Sequence, residues 1–178
     1  DRFGRPVEVI PCCVDFKRFE IAGGNARSEM RRKLNVENRR VIVYVGTLEG
    51  SYMPKETADF LGTAKKSDAS VFALVLTHNN PRRIKELLKE QGFSENDCLI
   101  QKVLPAEIPL YLAASDIAVS FIRATYSKQA TSPTKFAEYL ACGLPVVSNA
   151  GIGDLDGIIE KEKIGAILKD FNEEAYLK

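Results

Sequence analysis

A chain of 178 residues, 45% hydrophobic and 28% charged, has the size and composition of one globular domain with an adequate core. A net charge of +1 supplies no basic excess for nucleic acid, and no apolar run reaches membrane-spanning length. Four cysteines without CxxC spacing and a single histidine, His78, form no zinc set, so no metal site is expected. Adjacent Cys12 and Cys13 suit reduced thiols better than a disulfide framework, which implies a cytoplasmic location. The chain opens on Asp1 with no signal peptide and stops inside a helical pattern, Glu173-Glu174-Ala175-Tyr176-Leu177-Lys178. The expectation is a single domain over 1–178, excised from something longer.

Val7-Glu8-Val9-Ile10 predicts a short strand closed by Pro11. Asp15-Phe16-Lys17-Arg18-Phe19 predicts a turn with two aromatic anchors, broken by Gly23-Gly24. Residues 27–33 predict a basic helix with a solvated charged face. A regular alternation follows. Apolar runs at 41–45, 71–76, 98–103, 117–122, 146–148 and 164–168 predict strands, with helices beginning near Lys55, Pro81, Pro105, Ser132 and Asp154. Continuous apolar strands mean burial on both faces, so the fold class is α/β, a doubly wound parallel sheet of Rossmann-like type. In such sheets ligands sit at the carboxyl ends of the strands. Four segments converge there: Gly46-Thr47-Leu48-Glu49-Gly50, Thr77-His78-Asn79-Asn80, Val103-Leu104-Pro105 and the polar loop 123–132.

The stretch 131–148 is the most informative. Ser132 suits an N-cap, Pro133 suits the first helical position, and Gly143 suits a left-handed helix stop before Pro145. Phe136, Leu140, Ala137 and Ala141 supply a buried face, with Thr134 and Glu138 on the other. Free N–H groups at Ser132 to Lys135, with the Lys135 ammonium beside them, favour a phosphate. Glu138 lies about 6 Å further along the axis, where a carboxylate can accept both hydroxyls of a ribose. Ordinary capping and a solvated glutamate account for the same residue types. Gly46 ends a buried strand and lets phosphates approach the backbone, but neither GxGxxG nor a P-loop is present. Arg123 and Lys128 are candidates to neutralise a diphosphate, with a solvated loop as the alternative. His78 stands without a nearby nucleophile or orienting acid, as a polar loop residue does.

Ser132-Pro133-Thr134-Lys135-Phe136-Ala137-Glu138-Tyr139-Leu140-Ala141-Cys142-Gly143-Leu144-Pro145-Val146-Val147 resembles the donor-site segment of retaining glycosyltransferases of family 4, which have the GT-B fold. Val43-Tyr44-Val45-Gly46-Thr47-Leu48 resembles that family's first glycine loop, and Val9-Ile10-Pro11-Cys12-Cys13-Val14-Asp15-Phe16 its entry into the C-terminal domain. The resemblance implies the C-terminal, donor-binding half of a GT-B enzyme that transfers a sugar, with retention, in polysaccharide or glycolipid biosynthesis. Its donor is a UDP- or GDP-linked sugar, used as substrate, and no cofactor is implied.

The implied catalytic residues are Lys135 and Glu138. The implied nucleotide contacts are Gly46, Thr47, His78, Val103, Leu104, Lys128, Ser132, Pro133, Thr134, Lys135 and Glu138, with His78, Val103 and Leu104 at the base. The implied partner is an N-terminal domain of the same full-length chain, which would also carry any peripheral membrane attachment. The fragment alone is expected to be inactive. Three departures stand out: Cys12-Cys13 fill a common Asn-Gly, Thr47 replaces an Arg, and Ala130 stands at the first Glu of the Glu-x7-Glu motif. Lys55, after a longer loop, is the candidate for the family's phosphate-binding Lys, with an ordinary surface lysine at a helix start as the alternative. Two other readings remain: a sugar-nucleotide 2-epimerase of GT-B architecture, and a non-catalytic interaction domain.

Overall fold

The run Val41-Ile42-Val43-Tyr44-Val45 folds as the central strand β1 (Arg40–Val45), and both of its faces are covered. Val41, Val43 and Val45 enter one core cluster, while Ile42 and Tyr44 enter a second on the opposite side. A computed structural model of the protein describes residues 4–6, 8 and 10–177. The strand expected at 7–10 therefore rests on Val7 and Val9, which lie outside the described residues.

The same alternation in β2 (Val71–Leu76) sends Phe72, Leu74 and Leu76 to the first cluster and Val71, Ala73 and Val75 to the second. Four further strands, β3 (Cys98–Gln101), β4 (Ile117–Ser120), β5 (Val146–Asn149) and β6 (Gly165–Leu168), complete one sheet. Its order is β3-β2-β1-β4-β5-β6, and every neighbouring pair is parallel. The described helices form two layers. One contains α2 (Pro54–Ser67), α3 (Arg82–Glu90) and α7 (Glu173–Tyr176), whose Phe60, Ile84, Leu88 and Tyr176 join the second cluster. The other contains α1 (Ala26–Lys33), α4 (Ile108–Ala113), α5 (Thr134–Ala141) and α6 (Leu155–Glu162), on the first cluster. This is the doubly wound α/β fold expected, and the direction of winding reverses between β1 and β4, the point at which folds of this kind bind ligands.

Two strands stop short of expectation. Residues 102–103 leave β3 because Leu104 turns: its carbonyl accepts the Glu107 N–H at 2.9 Å and its N–H donates to the Glu107 carboxylate at 3.1 Å. Residues 121–122 leave β4 because Ile122 bridges to Tyr52 in antiparallel sense and is otherwise held by a side chain. The expected turn near Asp15 is a 3-10 helix, Phe16–Ala22, with the Asp15 carboxylate accepting the Lys17 N–H at 3.0 Å. Only Phe19 anchors it, at 5% exposure, whereas Phe16 is 70% exposed. The basic helix also differs from its expected solvated face. Arg27 and Arg31 reach the carbonyls at the end of α4 and both pair with Asp116, at 2.6 and 3.1 Å.

Candidate functional site

Helix α5 begins at Thr134 and not at Pro133, and Ser132 does not cap it. The Ser132 hydroxyl oxygen instead accepts the Cys12 N–H at 2.8 Å, a partner 120 residues away that outcompetes the local cap. Pro133 takes the capping position with extended backbone, and the ladder starts with Phe136 N–H on the Pro133 carbonyl at 3.1 Å. The N–H groups of Thr134 and Lys135 thus have no intrahelical partner and carry the positive end of the helix. At the other end Gly143 has φ +69°, and the N–H groups of Gly143 and Leu144 close on the carbonyls of Leu140 and Tyr139. That is the glycine stop read from the sequence.

The buried face is Phe136 and Tyr139, with Leu140 only partly covered, and Glu138 is buried as well at 7% exposure. A solvated glutamate is therefore excluded. Its Oε2 pairs with Lys135 Nζ at 2.9 Å, and its Oε1 faces Arg18 Nη1 at 4.0 Å. Burying a carboxylate this deep is costly without such partners. Its field reaches Cys142, whose thiol is pushed up to about 11 by burial and by the Glu138 charge. Lys135 spends one of its three protons on Glu138 and keeps two for an anion at the helix mouth.

Tyr139 fixes the height of α5 against the sheet. Its hydroxyl, completely buried, accepts the Val45 N–H at 3.0 Å, one residue before Gly46. Burial raises its pKa far above the usual phenol range, against the opposing bond from Val45. Gly46 has φ +151°, which side chains rarely adopt, so glycine is required there for the chain to leave β1. Thr47 is exposed and gives its carbonyl to the Tyr44 hydroxyl. The next turn is tied to the second loop, because Leu48 N–H donates to the Asn79 side chain at 2.9 Å while His78 is exposed. Lys55 is exposed and pairs with Asp59 at 2.5 Å, one turn along α2. Val103 is buried and the Leu104 side chain is 65% exposed.

The loop before α5 contains a 3-10 turn, Tyr126–Ala130, and Arg123, Gln129 and Ala130 are all exposed. It is moored at three points. Arg123 N–H bonds the Ser51 carbonyl at 2.7 Å, Lys128 carbonyl accepts the Gly153 N–H at 2.9 Å, and the Asn149 side chain holds Ile122. Asn149 Oδ1 accepts the Ile122 N–H and Nδ2 donates to the Ile122 carbonyl, both at 2.9 Å. Asp154 stands at the N-cap of α6 without a side-chain capping bond, while Asp156 takes the Gly151 N–H at 3.0 Å.

Sequence reasoning missed Arg18. Its Nη2 donates to the Pro105 carbonyl at 3.4 Å while Nη1 faces Glu138, and no local pattern announces contacts 87 and 120 residues distant. Among the described residues no group of three or more His, Cys, Asp or Glu could hold a metal ion, and no helix is long and apolar enough to cross a membrane. A groove of about 410 Å³ beside Ile21, Met30 and Leu110 includes none of the strand-end loop residues.

Residues 26–178 match the family model for glycosyl transferases group 1, and the chain belongs to that family. Spore coat protein SA of Bacillus subtilis (strain 168) is 26% identical over 163 residues, 86% of this chain and 41% of that protein. Among solved structures, WaaG, a glycosyltransferase involved in lipopolysaccharide biosynthesis, superposes with a TM-score of 0.75 at 16% identity, over 95% of this chain and 45% of WaaG. The C-terminal domain of LpcC, a group 1 family glycosyl transferase from Francisella tularensis, gives 0.66 at 16% identity, over 90% and 82%. Anabaena Alr3699/HepE, solved with UDP and glucose, gives 0.65 at 17% identity, over 92% and 43%. These likenesses show the fold, that of a GT-B C-terminal domain. The chain spans less than half the length of Spore coat protein SA and of WaaG.

Proposed function

We propose that this chain is the donor-binding half of a retaining glycosyltransferase of family 4, working in the cytoplasm on a polysaccharide or glycolipid. It takes a UDP- or GDP-linked sugar and needs no cofactor. Residues 1–178 act as one nucleotide-sugar-binding domain, completed by an N-terminal domain of the full-length protein that brings the acceptor and any membrane attachment. The observation that carries the reading is the polar half of α5: an unpaired helix start with Lys135 beside it, and a buried Glu138 one turn inside, bonded to Lys135 at 2.9 Å.

A diphosphate at this mouth meets the N–H groups of Thr134 and Lys135 and two protons of the Lys135 ammonium. Breaking the anomeric C–O bond leaves both electrons on the phosphate, and groups preorganised to receive that charge lower the barrier. Lys128 and the Ser132 hydroxyl proton, not used in the bond from Cys12, add to the same end. Glu138 accepts the ribose hydroxyls. Gly46 and Thr47 flank the phosphates, and His78, Val103 and Leu104 border the base. Because Glu107 holds the Leu104 N–H, base reading at 103–104 falls to Val103 or requires Glu107 to release its neighbour. Ala130 offers no carboxylate, so Gln129 or a backbone amide meets the sugar. No observation in the fold favours the 2-epimerase or interaction-domain readings.

Calorimetric titration with UDP, GDP, ADP and CMP at low salt tests the proposal. The expected outcome is binding of one nucleoside diphosphate, weakened by Lys135→Ala and by Glu138→Ala. Unchanged affinity in Glu138→Ala would refute the ribose role, and no binding by the full-length protein would refute the donor site.

A further inference from the structure

Glu138 has two cationic neighbours, and they engage it differently. Lys135 bonds Oε2 directly at 2.9 Å, whereas Arg18 faces Oε1 at 4.0 Å, beyond hydrogen-bond reach. Arg18 therefore supports the charge without using the lone pairs of Oε1. The same guanidinium donates to the Pro105 carbonyl at 3.4 Å, so it joins the α5 carboxylate to the loop after β3.

Its own placement is fixed from several sides. The Phe19 ring, buried in the first core cluster, lies 5.7 Å from the guanidinium carbon. Asp15 stabilises the start of the 3-10 helix that carries Arg18, and Cys12 fastens the preceding segment to Ser132. Residues 12–19 are thus bound at one end to the α5 mouth and at the other to the core.

We propose that Arg18 is a positioning residue for nucleoside recognition. It stands beside Glu138 with one carboxylate oxygen left open, and it sets the spacing between that oxygen and the 103–105 loop, so that a nucleoside bridges the two. This rests on the donor-site reading above and extends it to a residue outside every motif in the sequence. Arg18 acts on the nucleoside part of the ligand. The diphosphate is assigned to Thr134 and Lys135, and Arg18 is given no contact with it.

The test compares wild-type protein, Arg18→Ala and Arg18→Lys in titrations with UDP, GDP, ADP and inorganic pyrophosphate. Whichever nucleotide the wild type binds is expected to lose about tenfold in affinity in Arg18→Ala, the scale of a lost hydrogen bond to a charged group. Arg18→Lys, which keeps the charge and loses the fork, recovers part of it. Pyrophosphate affinity changes by less than about twofold, the size of a screened surface-charge effect. Equal nucleotide affinity in wild type and Arg18→Ala overturns the inference, and so does a parallel loss for pyrophosphate, which would mean long-range charge alone. Failure of the full-length wild type to bind any nucleotide is a different result: it removes the donor-site reading and this inference together.

Discussion

The Tyr139 hydroxyl accepts the Val45 N–H at 3.0 Å across 94 positions of sequence, and this bond sets α5 against the end of β1. Everything assigned to the helix start, from Thr134 to Glu138, inherits its distance to Gly46 from that contact. Removing the hydroxyl in Tyr139→Phe leaves a buried N–H without its partner while keeping the ring. The expected cost is about 1–3 kcal/mol, read from urea unfolding at unchanged m. A loss within a few tenths would show that the N–H finds another acceptor.

Gly153 is where the 151–153 turn meets the loop before α5. Its φ is +54°, and a Cβ there would stand 2.0 Å from the Thr131 carbonyl oxygen. Neither group is a flexible side-chain end, so Gly153→Ala forces the two backbones apart and breaks the Gly153–Lys128 bond. Stability should fall by about 1–3 kcal/mol, and any nucleotide affinity should fall with it. A variant with wild-type melting and wild-type binding would mean that the two loops are not coupled.

Acid should loosen the fold at the opposite end of the sheet from the proposed site. Burial would raise the Asp97 pKa, but bonds from Lys65, Ser94 and Arg39 outweigh it and hold the carboxyl well below the usual range. A depressed folded pKa gives stability that is present above the unfolded value of about 3.9 and is lost progressively as pH falls toward the folded one. Asp97→Asn should therefore cost about 2 kcal/mol near neutrality and flatten the acid limb of the stability curve below pH 4. If wild type and variant keep parallel curves down to pH 2, Asp97 is not a source of that limb.

The four thiols are free and should separate by accessibility. Cys12 and Cys13 are exposed, whereas burial raises the pKa of Cys98 and, with the Glu138 charge, that of Cys142 to about 11. Ellman titration near pH 8 should show two fast groups and two slow ones, all four becoming equivalent in urea. Fast reaction of Cys142 would contradict its burial beside Glu138.

The sheet was legible because burial on both faces writes itself as unbroken apolar runs, and six such runs became six strands. The Gly143 stop was legible for a similar reason: left-handed backbone and a following Pro145 are local demands. The site was legible only in part. Ser132 looks like a cap because nothing nearby reveals that a backbone N–H from Cys12 will claim it. Glu138 looks solvated on a wheel that places it opposite Leu140, yet Tyr139 turns inward to reach Val45 and takes Glu138 with it. Arg18, in a turn of ordinary composition, gains its place only when residues 12–22 fold over α4. These failures share one cause, since each depends on a partner far away in sequence.

The Asn149 amide carries a last consequence. Where the β4 ladder ends, Ile122 is gripped by one side chain that supplies the acceptor and the donor a neighbouring strand would have given. The sheet is thereby sealed at the residue before the 123–131 loop. Rearrangement of that loop around an incoming ligand would cost the Arg123–Ser51 and Gly153–Lys128 bonds and leave the pairing of the six strands intact, because the amide closes the ladder on the sheet side of the loop.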